Sequence, residues 1–197
     1  MAEVTRCGYV ALVGRPNVGK STLLNHVLGQ KISITSRKPQ TTRRNLIGVD
    51  TRRGNQAIYV DTPGIHQQTE RELNRYMVSN ATSALSDVDL LVVLIEGGKT
   101  TPADEHVLKL VAAHQAPKFA VLSKVDLIKD KAQLLPQMQA LGERSLFDEI
   151  VPLSALKEDG IERFRENVFA RLPLGTHFFA DDEVTDQPER FLEAEIV

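Results

Sequence analysis

Short apolar runs alternate with amphipathic stretches along this 197-residue chain, and the alternation predicts its elements. The runs Tyr9–Val13, Leu46–Thr51, Gln56–Val60, Asp89–Ile95, Lys118–Leu122 and Glu149–Leu153 read as strands. The stretches Lys20–Leu28, Glu72–Leu85, Ala103–His114, Ala132–Leu141 and Ile161–Leu172 read as helices. Arg52-Arg53-Gly54-Asn55 has the composition of a hairpin turn and joins the second strand to the third. The other connections run through helices, as parallel neighbours require. The expected fold is therefore α/β: a mostly parallel six-stranded sheet with one antiparallel edge strand and helices on both faces. Ligands of such a sheet bind at the carboxyl ends of its strands. There is no internal repeat or low-complexity tract.

The chemistry-bearing residues fall at those carboxyl ends. Gly14-Arg15-Pro16-Asn17-Val18-Gly19-Lys20-Ser21 stands between the first strand and the first helix, which continues through Thr22. Strand, glycine loop and helix form the context of a phosphate-binding loop. Glycines let backbone N–H groups close on phosphate oxygens, and the helix N-terminus adds its positive dipole end. Lys20 is placed to reach the outer phosphates and the Ser21 hydroxyl to ligate Mg²⁺. Asp61-Thr62-Pro63-Gly64 ends the third strand. An aspartate there suits the Mg²⁺ shell of a phosphate-loop enzyme, and Gly64 offers an N–H to a γ-phosphate. Alone, the same four residues read equally as a turn.

Ser123-Lys124-Val125-Asp126 follows the fifth strand. The Asp126 carboxylate can accept hydrogen bonds from the ring N–H and exocyclic amine of guanine, a pair of donors that adenine lacks. Lys124 is expected to lie against the ring and brace the loop. Ser154-Ala155-Leu156, after the sixth strand, offers backbone N–H groups to the guanine oxygen.

This ordered set resembles a GTPase domain of the translation-factor class. Lys31–Arg43, with Gln40-Thr41-Thr42-Arg43, and the tail Thr176-His177-Phe178-Phe179, Thr185-Asp186, Arg190-Phe191 and Glu195-Ile196 narrow the resemblance to the Era family of bacterial GTPases. That resemblance covers essentially the whole chain. It implies Mg²⁺-dependent hydrolysis of GTP to GDP and phosphate, as a switch in small ribosomal subunit assembly and rRNA maturation. It also implies loose membrane association and a KH domain that binds small-subunit rRNA; the lack of a signal-peptide pattern and of a membrane-length apolar run gives the expectation of a cytoplasmic location. Residues 1–174 are expected to form the GTPase domain and 175–197 a linker toward that KH domain.

One departure from the family pattern is Ser123, where family members usually carry Asn. Ser is shorter and has a single hydroxyl, so weaker nucleotide binding is expected, with guanine preference retained through Asp126. In the long polar loop Gln30–Arg44 a threonine is expected to supply a further Mg²⁺ ligand: Thr42, with Thr41 the alternative. Catalysis is less legible. Ile65, after Gly64, cannot orient a water as the glutamine of many small GTPases does. GTPases with an asparagine at the position of Asn17 resemble those that bind K⁺ beside the phosphates, so Asn17, Lys20, Thr42 and Gly64 are the expected catalytic set. The alternative for Asn17 is a turn residue that tolerates left-handed backbone. A second functional reading also stays open: a nucleotide-gated binding module whose hydrolysis needs a partner in trans.

Composition changes little. A net charge of −2 excludes an overall basic field as the driver of nucleic-acid binding. Locally, Arg37, Lys38, Arg43, Arg44, Arg52 and Arg53 face only Asp50, which fits either an RNA-facing patch or a solvated loop and hairpin. Cys7 is the single cysteine, which excludes intrachain disulfides and thiolate metal clusters. His66, two residues past Gly64, reads as a bystander more often than as a general base; His26, His106, His114 and His177 show no metal-ligand spacing, and oligomeric state is not written in the pattern.

Overall fold

The computed structural model describes residues 5–29, 46–61 and 88–182. In chain order its main elements are β1 (Cys7–Val13), α1 (Lys20–Leu28), β2 (Leu46–Arg52), β3 (Asn55–Asp61), β4 (Leu90–Glu96), α2 (Pro102–Ala112), β5 (Lys118–Ser123), α3 (Leu134–Gly142), β6 (Ile150–Pro152) and α4 (Ile161–Arg171). The six strands form one sheet in the order β2-β3-β1-β4-β5-β6, and only the β2–β3 pair is antiparallel. The expected helix at Glu72–Leu85 lies outside the described residues.

Period-two alternation splits each central strand between two cores. Val10 and Leu12 of β1 join Tyr59, Leu90, Val92 and Phe119 under α1 and α4. Ala11 and Val13 join Leu91, Val93 and Ile95 under α2 and α3. β4 is apolar from Leu90 to Ile95 because helices cover both of its faces, and its first polar residue, Glu96, falls where the strand leaves the core.

Local signals set the ends. Arg53 and Gly54 both have positive φ, 48° and 72°, the backbone of a two-residue hairpin turn that matches the twist of β2 and β3. Thr101 caps α2 in a reciprocal box with Asp104, and Pro102 opens the helix where its missing N–H costs nothing. The expected helix from Ala132 begins instead at Leu134. Asp130 accepts from the Ala132 N–H and draws Lys131–Gln133 into a 3₁₀ turn first.

Arg165 of α4 is almost fully buried. It donates to Val27 O at the end of α1, and its Nε stands 3.3 Å from Asp50 Oδ2 on β2, so one guanidinium ties three elements together. Burial raises the Asp50 pKa, against the opposing pull of Arg165 and Arg52.

At the amino ends of the parallel strands the chain returns to the sheet. Arg6 bridges Leu174, Gly175 N–H donates to Thr5 O, and Tyr9 contacts the Phe178 ring at 5.5 Å. Gln56, with no exposed surface, uses both ends of its amide here. Its Oε1 accepts from the N–H groups of Phe178 (2.9 Å) and Phe179 (3.1 Å), and its Nε2 donates to Phe179 O and Thr51 Oγ1, both at 3.0 Å. Residues 175–179 therefore pack against the sheet, although the sequence pattern alone reads them as the start of a linker. His177 is part of this contact: its imidazole meets Asp181 Oδ1 at 2.6 Å and Gly54 O at 3.1 Å.

Candidate nucleotide-binding site

The opposite end of the sheet gathers the polar loops. Leu12 of β1 pairs in register with Asp61 of β3, so the phosphate loop starts two residues beyond the rung that carries the aspartate. Gly14 has no room for a side chain: a Cβ there would sit 2.7 Å from Leu94 O and 2.9 Å from Val18 Cγ1. Asn17 (φ 60°) and Gly19 (φ 111°) take positive φ and curl the loop into the head of α1. The left-handed Asn17 has the geometry that the turn-residue reading requires. Val18 is buried beneath the loop, while Asn17 is exposed above it.

Lys20 is 6 % exposed, and its Nζ donates to Gly14 O at 3.0 Å and Arg15 O at 3.2 Å. It thereby spans the loop from inside, with its ammonium over the concavity that phosphate oxygens fill in this type of loop. Pro16 fixes the turn between Arg15 and Asn17. Ser21 and Thr22 follow Lys20 in the first turn of α1.

The two loops expected to read a base lie in contact with each other. Asp126 lies in a 3₁₀ turn (Val125–Leu127) directly after β5. Its Oδ1 accepts from Ser154 Oγ at 2.6 Å, and Ser154, 1 % exposed, caps the 3₁₀ turn Ala155–Lys157 by accepting from Lys157 N–H. One hydroxyl thus joins the second base loop to the first and leaves Asp126 Oδ2 for a ligand. The opening N–H groups of that turn, at Ala155 and Leu156, have no partner within the turn itself.

Ser123, 4 % exposed, faces the phosphate loop: its Oγ donates to Val18 O at 2.6 Å, with Ile95 O at 3.3 Å. The short hydroxyl therefore keeps the link between base loop and phosphate loop, but its one proton is spent on that link.

Sequence reasoning missed what the charged side chains around the loop do. Arg15 belongs to the phosphate-loop motif, yet its guanidinium turns sideways onto Glu96 at the end of β4, with its Nε 3.3 Å from Asp104 Oδ1. Lys124, held at φ 57°, reaches the same Glu96 carboxylate at 3.4 Å. Burial raises the Glu96 pKa, but Lys124 and Arg15 outweigh it and hold the carboxyl below the ordinary Glu value. The signal that could have found Glu96 is the one that found Asp61: a carboxylate ending an otherwise apolar strand.

Thr41, Thr42, Thr62, Pro63, Gly64, Ile65 and His66 lie outside the described residues, and of Asp61 only the backbone is described. Among the described residues no cluster of His, Cys, Asp and Glu forms a metal site, and no helix is long and apolar enough to cross a membrane. Cys7 is buried against Gln56, as a packing residue should be.

Comparison with known proteins agrees with this geometry. The family described as 50S ribosome-binding GTPase matches residues 9–124. GTPase Era of Azotobacter vinelandii is 51 % identical over 192 residues, which are 98 % of this chain and 64 % of that protein. A crystal structure of Era in complex with MgGDPNP and nucleotides 1506–1542 of 16S ribosomal RNA has a TM-score of 0.83 at 37 % identity, covering 98 % of this chain and 65 % of that one. A variant of Aquifex aeolicus Era bound to GDP·AlF₄⁻ gives 0.82 at 37 % identity, over 97 % of this chain and 65 % of that one. The chain thus spans about two thirds, 64 %, of the length of the first of these relatives. It belongs to the family described as 50S ribosome-binding GTPase and is similar to the GTPases named Era.

Proposed function

We propose that this chain binds guanine nucleotides and hydrolyses GTP to GDP and phosphate, as a switch in small ribosomal subunit assembly and rRNA maturation. The observation that carries the reading is the bridge from Ser154 to Asp126 at the same sheet end as the Lys20-spanned loop. The backbone N–H groups of Gly14, Arg15, Asn17, Val18, Gly19, Lys20 and Ser21 belong to the phosphate side, with Pro16, which has no N–H, shaping the loop and Thr22 behind it. Ser123, Lys124, Asp126, Ser154, Ala155 and Leu156 belong to the base side, and Asp61, Thr62, Pro63 and Gly64 to the γ-phosphate side.

Mg²⁺ suits hydroxyl and carboxylate oxygens: Ser21 in the first turn of α1, Asp61 at the end of β3 and Thr42 are the proposed ligands. When bound, Mg²⁺ neutralises charge that builds on the phosphate oxygens. The chain's own part is to hold the triphosphate in line with Lys20 and the loop N–H groups, and to offer the Gly64 N–H to the outer phosphate. With Ile65 in the water-orienting position, intrinsic turnover is slow, and K⁺ held by Asn17 supplies the compensating charge. The GTPase unit of residues 1–174 also carries the docked residues 175–179, and the segment that follows leads toward an rRNA-binding KH domain. The Era structure with 16S ribosomal RNA supports that partner.

The test is phosphate release from GTP with Mg²⁺, in matched KCl and NaCl. Faster release in K⁺, abolished in Asn17→Ala, is the expected result. Equal rates in both salts leave the GTPase and remove K⁺. Bound nucleotide without release in either salt favours the second reading, a nucleotide-gated binding module, which Ile65 supports.

A further inference from the structure

The phosphate loop and the guanine loop come from different strands, β1 and β5, yet one side chain holds both. Glu96, at the end of the intervening β4, receives the Arg15 guanidinium from one side and the Lys124 ammonium, at 3.4 Å, from the other. Its backbone is fixed. Glu96 O accepts from Gln137 Nε2 at 3.0 Å, Gly97 N–H donates to Ser123 O at 2.8 Å, and Gly98 N–H donates to Gln137 Oε1 at 2.8 Å. Gln137 is itself buried on α3, so the carboxylate projects from a scaffold braced on both sides.

Arg15 has a second anchor in Asp104, which is 1 % exposed and held by the Thr101 N–H and hydroxyl. Lys124 has Glu96 as its ion-pair partner, and its side chain is about one-third exposed. Two cations and two carboxylates balance within this cluster, and removal of Glu96 would release Lys124 more than Arg15.

We infer that Glu96 is a positioning residue for the base end of the nucleotide site: it holds the Lys124 ammonium so that the aliphatic stem is set in place before the base arrives, and it ties that stem to the phosphate loop through Arg15. The inference rests on the guanine-nucleotide reading above. A free lysine has a long flexible stem to immobilise on binding, and an anchored one has already lost that freedom. Glu96 touches neither phosphate nor the proposed reacting atoms, so its effect falls on affinity and not on the chemical step.

The experiment is a double-mutant cycle on the intact chain, with GDP and GTP dissociation constants and kcat at saturating GTP measured for wild type, Glu96→Gln, Lys124→Met and the double variant. Glu96→Gln should weaken GDP and GTP alike, by about fivefold to tenfold, with kcat within about twofold. Lys124→Met should weaken them at least as much, and Glu96→Gln should then add less than about twofold. An undiminished Glu96→Gln loss in the Lys124→Met background overturns the inference, since it would place the effect in general loop stability. So would unchanged or tighter binding in Glu96→Gln, or a kcat loss at constant affinity. Should Glu96→Gln not fold, Lys124→Met alone decides, because unchanged GDP affinity there removes the role assigned to the anchor. Failure of the wild type to bind either nucleotide would instead overturn the guanine reading, and this inference with it.

Discussion

The two ends of the sheet hold their buried polar groups in different ways. At the amino ends Gln56 is consumed internally, with its oxygen and nitrogen both bonded to the returning tail and to Thr51. At the carboxyl ends the arrangement differs, and Asp126 is held on one side and open on the other. Lys20 is tethered to Gly14 and Arg15 carbonyls, which oxygens of a ligand can replace, and Asp126 gives one oxygen to Ser154 and keeps one. A buried polar group whose capacity is used up within the chain stabilises a contact. One whose capacity is half used points at something else. The contrast separates structure from function without reference to any relative.

The largest way to sharpen the comparison is to alter the open oxygen. In Asp126→Asn the amide oxygen can keep the Ser154 hydroxyl while the amide nitrogen faces the ligand, so an acceptor becomes a donor. GDP affinity should fall by about 10³-fold or more, and xanthosine diphosphate, which has a carbonyl where guanine has an amine, should gain. Titration of both diphosphates checks this; parallel losses for the two would show that Asp126 does not read the base.

Next comes the closed end. Gln56→Leu removes an acceptor and a donor from a site without solvent, and the Phe178 and Phe179 N–H groups lose their partner. A loss of about 3 kcal/mol in unfolding free energy is expected from the urea midpoint, with GDP affinity unchanged within about twofold. A large loss of affinity would break the comparison by linking the two ends.

The smallest effect concerns His177. Both of its neighbours, the Asp181 carboxylate and the Gly54 carbonyl, are acceptors, so only the doubly protonated ring satisfies both. The hydrogen bond that the ring donates to Asp181 raises its pKa above the ordinary 6.5, burial opposes this, and the Gly54 carbonyl adds to the rise. A group whose pKa is raised on folding contributes stability that is full below the ordinary value and lost as pH rises through the folded value. Tail docking should loosen modestly as pH rises above about 6.5, followed by the Phe178 amide signal in NMR, and His177→Gln should abolish that dependence.

Much of this molecule is legible in its sequence because the signals are local. The run Leu90–Ile95 is apolar at every position, as a strand covered on both faces is, and Gly14 to Ser21 has the spacing of an anion-cradling loop. The Arg52–Asn55 turn supplies its own positive-φ residue. Contacts between distant positions are not legible in this way. Nothing near Gln56 announces that it will hold residues more than a hundred positions later, so the tail Gly175–Phe179 reads as a connector. Arg15 reads as loop because its partners, Glu96 and Asp104, come from other strands and helices. Ser123 reads as a loss relative to Asn, whereas its hydroxyl keeps the bond to Val18 by being close enough to need no longer reach.

The rung that pairs Leu12 with Asp61 limits how this chain can change its length. Insertions at the Arg53-Gly54 turn leave every rung in place. Deletion of one residue within Tyr9–Leu12 would move the phosphate loop about 3.3 Å against β3 and exchange the two faces of β1. Lineages of this fold are therefore free to vary in length between strands and nearly frozen within them. Reading-frame-preserving gaps should accumulate at the turns, while the core strands keep their residue count even where their residues drift.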